Sequence, residues 1–303
     1  MTATAESRRI IWRFTDSRAG HDSQSLGLVS ALTELCDCEV HEIGVPFELE
    51  NYWQAFQKNL EPVKSLPDPD LLVGAGHATH FPMLACRFAR GGKICVIMSP
   101  SLPRWLFDLC LLPEHDRPGQ AENTIVTMGP LNSIQPRQNR DEEKGLVLVG
   151  GQSKHFLWSN TLVLEQIKGI LESGFRWSVS DSPRTPPIMR EQLRRMAEEG
   201  LDYRPYEDHP AAELMQDVAQ IWVSEDSMSM IFEALSTGAA VGVMRLRPRR
   251  KSRLGSVATT LFENNLLTLY DHYQGKDRLP APSKVLQESQ RVARAAAEKL
   301  GWL

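Results

Sequence analysis

Asp16 and His21 share the segment Thr15-Asp16-Ser17-Arg18-Ala19-Gly20-His21-Asp22-Ser23-Gln24, which follows the first strand-like run of the chain. An imidazole ordinarily titrates near neutrality, so a histidine placed just past a strand can serve as a general base, helped by a neighbouring carboxylate. Gly20 permits a tight turn that sets His21 at the start of the next helix. The bland alternative is a solvated loop histidine with a capping role. Gly74-Ala75-Gly76-His77-Ala78-Thr79-His80 repeats the pattern of glycines followed by a histidine. It lacks the third glycine and the downstream acid of a dinucleotide fingerprint. His77 and His80 stand three apart, but no third ligand follows at a suitable spacing, so no metal site is expected.

The second half of the chain carries partners for an anion. In Val147-Leu148-Val149-Gly150-Gly151-Gln152-Ser153-Lys154, Gly150 and Gly151 let the backbone approach a ligand. Ser153 and Lys154 add a hydroxyl and a cation, which suits a phosphate or a sugar. The spacing is not that of a Walker A loop. Ser182-Pro183-Arg184-Thr185-Pro186 supplies hydroxyls and a guanidinium, a fork for an oxyanion. Thr185 there reads equally as the cap of a proline-started helix.

The stretch Ser224–Gly238 joins a buried strand to a hydroxyl-rich helix start. Amides of Ser227, Met228 and Ser229 at that start offer partial positive charge to a diphosphate. Glu233, four residues beyond Ser229, can accept from a ribose or sugar diol. Arg245–Arg253 packs six cations into nine residues. It reads either as a solvated loop or as a surface for anionic lipid headgroups or a phosphorylated ligand. Asp68-Pro69-Asp70 precedes a strand and reads as a turn.

The elements that must position these residues alternate. The 303-residue chain has 34 Lys+Arg against 38 Asp+Glu, a formal charge of −4, and is 42% hydrophobic. That composition excludes a disordered chain and argues against a nucleic-acid partner. Five cysteines without a Cys-x-x-Cys pair read as reduced thiols, and no run of 18 apolar residues exists, so a cytoplasmic protein is expected. The polar segment Met1–Arg9 carries no signal-peptide stretch.

Strands are expected at Ile10–Phe14, Glu39–Ile43, Leu71–Gly74, Ile94–Met98, Leu109–Leu112, Thr124–Thr127, Gly145–Val149, Trp177–Val179, Ile221–Val223, Ala240–Val243 and Leu267–Leu269. Helices are expected at Ser23–Leu35, Glu50–Asn59, His80–Arg90, Thr161–Glu172, Pro187–Glu199, Ala211–Gln220, Met228–Ser236 and Ser283–Lys299. Strand–helix alternation means parallel sheets with right-handed crossovers. The fold class is α/β, with two Rossmann-like parallel-sheet domains facing a cleft, over residues 1–138 and 139–282. The helix in 283–303 is expected to pack back on the first domain.

Taken in order, Asp16–Gly27, Gly74–His80, Pro113–Asp116, Met128–Asn132, Gly150–Lys154, Ser182–Pro186 and Ser224–Gly238 resemble the mitochondrial-fission-protein-like family. Ala19 departs from it where proline is expected. The resemblance implies the glycosyltransferase-B architecture. It also implies a distant kinship with the enzyme that adds N-acetylglucosamine to the lipid-linked peptidoglycan precursor. By that resemblance the second domain holds a nucleotide-sugar, a UDP-sugar, as substrate, and no cofactor is needed. The first domain presents a sugar or lipid-linked acceptor near Gly20, Gln24, Gly76 and His77, with His21 as base and Asp16 beside it.

An inverting, metal-independent transfer follows, with the donor held by Gly150, Gly151, Ser153, Lys154, Arg184, Thr185, Ser227, Met228, Ser229 and Glu233. Cell-envelope glycoconjugate synthesis at the inner membrane face, with Arg245–Arg253 on the lipid, fits this picture. A nucleotide-sugar 2-epimerase and a non-catalytic scaffold are the alternatives.

Overall fold

The computed structural model describes residues 8–45, 63–250, 252, 254–275 and 278–303, and the helix expected at Glu50–Asn59 lies outside them. The chain divides into two compact units, residues 1–133 with 287–303, and residues 134–286.

The first unit holds strands β1 (Arg9–Thr15), β2 (Cys38–Gly44), β3 (Leu71–Ala75), β4 (Lys93–Ile97), β5 (Leu109–Pro113) and β6 (Thr124–Thr127). They form one parallel sheet in the order β2-β1-β3-β4-β5-β6. Every residue of β3 and β5 is buried, as strands covered on both faces must be. Alternation along the strands sorts their side chains between two cores. Ile11, Val73, Cys95 and Ile97 face one, with Leu28 and Leu32 of α1 (Ala19–Leu35) and Val292, Ala293 and Ala296 of the last helix. Trp12, Leu72, Ile94 and Val96 face the other, with Met83 and Cys86 of α2 (His80–Arg90).

The second unit repeats the plan. Its strands are β7 (Asp141–Leu148), β9 (Arg176–Ser180), β10 (Asp202–Arg204), β11 (Val218–Ser224), β12 (Ala240–Met244) and β14 (Thr268–Leu269), all parallel in the order β10-β9-β7-β11-β12-β14. Helices α3 (Asn160–Leu171), α4 (Pro187–Glu198), α5 (Ala211–Leu214), α6 (Met228–Thr237) and α7 (Val257–Glu263) accompany them. A separate antiparallel ribbon pairs β8 (Phe156–Leu157) with β13 (Arg247–Pro248). Helix α8 (Glu288–Leu300) belongs to the first unit. Its Glu288 accepts from the Met128 N–H at 2.7 Å. Ser289 accepts from Asn132 N–H and donates to the Asn132 carbonyl.

Several elements differ from expectation. Helix α1 begins at Ala19 rather than Ser23, so Gly20 is helical and makes no turn; Ser17, at φ 59°, turns the chain instead. The helix expected at Ala211–Gln220 stops at Leu214, because Val218 already belongs to β11, paired with Asp141. The last helix starts at Glu288 rather than Ser283. Strand β4 ends at Ile97, and Met98 takes φ 71°.

The two glycines of α1 separate packing from propensity. A Cβ on Gly27 would meet the Asn132 backbone at 2.5 Å, whereas one on Gly20 would meet nothing within 4 Å. Gly27→Ala should therefore destabilise the protein by about 1–3 kcal/mol through overpacking. Gly20→Ala should be neutral or stabilising by up to about 1 kcal/mol. Urea denaturation of the two variants checks the difference in sign.

Candidate functional site

In the first unit, the loops after β1 and β3 meet. His21, in the first turn of α1, has Nδ1 2.8 Å from Asp16 Oδ2, with the carboxylate 3% and the imidazole 20% exposed. The other Asp16 oxygen accepts from the Arg18 N–H at 3.2 Å. When Nδ1 carries the proton shared with Asp16, Nε2 is the ring nitrogen left to accept another. The ring lies on Gly76. That residue has φ +81°, and a Cβ there would fall 2.4 Å from His21 Cε1, so backbone and space both require glycine. Gly76 is held in turn by Thr79, whose hydroxyl donates to its carbonyl at 2.7 Å.

The other expected acceptor-side residues divide. Gln24 is buried; its amide donates to the Gly20 carbonyl at 3.1 Å and reaches Met98 Sδ at 3.5 Å. His77 is exposed. His80 is buried against Phe107, and burial, with His77 nearby, lowers its pKa to about 4, so it stays neutral at physiological pH.

In the second unit, the loops after β7, β9 and β11 converge on a carboxylate that the sequence reading did not single out. Asp226 is fully buried. Its Oδ2 accepts from the Gly151 N–H at 3.0 Å and lies 2.8 Å from Arg184 Nη1, while Oδ1 accepts from the Ser224 hydroxyl at 2.7 Å. Ser224 Oγ also accepts from the Gly150 N–H at 2.7 Å. A Cβ on Gly150 would lie 2.5 Å from the Asp226 carboxylate, and one on Gly151 would strike the Arg184 carbonyl.

The glycines are therefore required, but by the protein's own groups. Both amides have acceptors within the protein. Arg184 is likewise engaged, by Asp226 and by the Gln152 carbonyl at 3.2 Å. The Thr185 hydroxyl is spent on the Val149 and Gly150 carbonyls and on the Ser182 N–H. The Ser227 amide donates to the Ser224 carbonyl, and no side chain caps the start of α6 at Met228 and Ser229. Half-buried Glu233 lies one turn further along that helix. Ser153 and Lys154 line an open cavity of about 500 Å³.

A signal for Asp226 was present in the sequence: an acid directly after a buried strand, beside hydroxyls and opposite a double glycine. Among the described residues, no helix is long and apolar enough to cross a membrane.

The family model described as mitochondrial fission ELM1 matches residues 19–300. Among solved structures, the S. aureus MnaA–UDP co-structure is 14% identical with a TM-score of 0.54, covering 97% of this chain and 98% of that one. A putative UDP-N-acetylglucosamine 2-epimerase from Listeria monocytogenes is 11% identical with a TM-score of 0.55, covering 97% and 88%. A glycosyltransferase from Rickettsia africae is 8% identical with a TM-score of 0.52, covering 97% and 89%. At these identities the likeness is one of fold, and the fold is glycosyltransferase-B.

Burial pushes the Asp226 carboxyl above the usual carboxylate range, against the pull of the Gly151 N–H and Arg184. Removing Arg184 takes away part of that pull and raises it further. A carboxyl with a raised folded-state pKa binds more protons folded than unfolded, so its contribution to stability is present at low pH. That contribution is lost as pH rises from about 3.9, the unfolded value, towards the folded one. Arg184→Met should thus lose more stability relative to wild type at pH 7.5 than at pH 4.5. Urea midpoints at the two pH values check this, and an equal loss at both would contradict it.

Proposed function

The chain belongs to the mitochondrial fission ELM1 family, and from that premise we propose that it is an inverting transferase acting on a nucleotide-diphosphate sugar. The donor is a UDP-sugar and the acceptor a hydroxyl of a sugar or lipid-linked glycoconjugate. The observation that carries the reading is the Asp16–His21 pair seated on Gly76, at the carboxyl ends of β1 and β3, where open parallel sheets bind ligands. The UDP in the S. aureus co-structure of the same fold supports the choice of nucleotide.

In this reaction His21 Nε2 takes the acceptor's hydroxyl proton as that oxygen bonds to the anomeric carbon. The bond from that carbon to the diphosphate oxygen breaks on the opposite face, and the diphosphate leaves with the electron pair. Asp16 holds the imidazole by Nδ1 and balances the positive charge it gains. Charge developing on the diphosphate is met by Lys154 and by the uncapped first turn of α6 at Met228 and Ser229. Arg184 contributes less, because Asp226 already neutralises it. Glu233 serves as acceptor for a ribose or sugar hydroxyl.

Thermal-shift titration with UDP and a panel of UDP-sugars tests the binding half, since a true donor raises the melting temperature with concentration. His21→Ala should leave that shift intact and lower transfer by roughly 10²- to 10⁴-fold, the usual worth of a general base. Full activity in His21→Ala would remove the base assignment. Scrambling at the second carbon of the sugar without any acceptor would replace transfer by 2-epimerisation. Binding without turnover would leave a scaffold.

A further inference from the structure

The basic stretch Arg245–Arg253 does not act as one surface. Arg245 is used inside the second unit. Its Nη1 lies 3.1 Å from Oε1 of fully buried Glu225, and its Nε 3.5 Å from Asp271. Its backbone exchanges two hydrogen bonds with the Gln166 side-chain amide. Arg247 and Pro248 form β13 of the ribbon. The next residue, Arg249, donates its N–H to the His155 carbonyl at 2.8 Å. Lys251 and Arg253 lie outside the described residues.

The ribbon brings Arg249 to the same cavity as Lys154. Among the described residues, the lining includes Gln152, Ser153, Lys154, Leu157, Trp158 and Arg249 and no carboxylate. At about 500 Å³ the space is of ligand size. Among the described residues, neither Lys154 nor Arg249 makes an ion pair, in contrast to Arg184 and Arg245. Ser153 Oγ accepts from the N–H groups of His155 and Phe156 at 3.3 and 3.2 Å. Its own hydroxyl proton is therefore left to donate. Half-buried Trp158 has its indole N–H committed to Asn160 at 2.5 Å, so the ring offers the cavity apolar surface. Two uncompensated cations, a hydroxyl donor and an aromatic wall are complementary to a phosphate that carries an organic group.

We propose that the cavity between the Gly150–Lys154 loop and the β8–β13 ribbon is a phosphate-binding site, with Lys154 and Arg249 as its paired cations. Lys154 is shared with the proposed donor site, but the inference rests on the cavity and stands without the transferase reading. The phosphate comes either from a soluble diphosphate or from a lipid headgroup, and the two are separable.

Calorimetric titration of the full chain with sodium pyrophosphate and with UDP reads the soluble source. Co-sedimentation with phosphatidylglycerol-containing vesicles, against pure phosphatidylcholine, reads the lipid source. Arg249→Gln and Lys154→Gln should each weaken binding by roughly tenfold to a hundredfold, as loss of a charge-assisted hydrogen bond does. Arg247→Gln, on the same ribbon but outside the lining, should not. Loss confined to the vesicle assay would assign the site to a headgroup phosphate. Binding of pyrophosphate but not UDP would keep the cavity and remove the nucleotide donor. No binding of any probe, or binding indifferent to Arg249→Gln, would overturn the proposal.

Discussion

A carboxylate removed from water costs several kcal/mol unless its oxygens are hydrogen-bonded and its charge is met. In the second unit that requirement shapes three loops at once. Asp226 gathers the Gly151 amide, the Ser224 hydroxyl and the Arg184 guanidinium, and through Ser224 it fixes the Gly150 amide as well. The double glycine looks like a cradle awaiting a ligand's phosphate, yet the protein fills it with its own negative charge. The loop is thereby tied down by the protein's own groups. Among the described residues, Lys154 and Arg249 beside this network make no ion pair, and the proposed phosphate site draws on them.

The first unit also places an acid just past a parallel strand, Asp16 after β1 where Asp226 follows β11, but gives it a different partner. Asp16 is nearly as buried as Asp226, but its partner is an imidazole rather than a guanidinium. A guanidinium keeps its proton; an imidazole can pass one on. The same element of fold, a parallel strand ending in a loop with a buried carboxylate, therefore yields a carboxylate–guanidinium pair in one unit and a carboxylate–imidazole pair, the proton-transfer pair of the proposed reaction, in the other. Gly76 completes the latter by giving up its side chain to the ring.

The sheets were legible because parallel strands covered on both faces read as continuous apolar runs, and Leu71–Gly74, Leu109–Leu112 and Ala240–Val243 lie within β3, β5 and β12. Strand β10 escaped because Asp202-Tyr203-Arg204 sits at a sheet edge and has no such run. The β8–β13 ribbon escaped because each of its strands is two residues long and the partners are about ninety positions apart. At the site, spacing alone brought Asp16 to His21, since five residues cover one loop and one helical turn. Gly150, Gly151, Arg184 and Thr185 were marked for good reason, and the structure adds partners within the protein that the sequence did not indicate. Sequence shows that glycine is needed for a close approach without saying what approaches. Asp226 and Arg249 depended on contacts across 75 and about 95 residues, which no local pattern encodes.

The account turns on whether the Gly150 and Gly151 amides are occupied by the protein itself. Amide hydrogen exchange at these two residues, in the free protein and with saturating UDP, addresses that directly. Strong protection in the free protein, unchanged on adding UDP, is the expected result. Rapid exchange in the free protein that becomes protected only with UDP would mean that the amides hold the ligand and not Asp226.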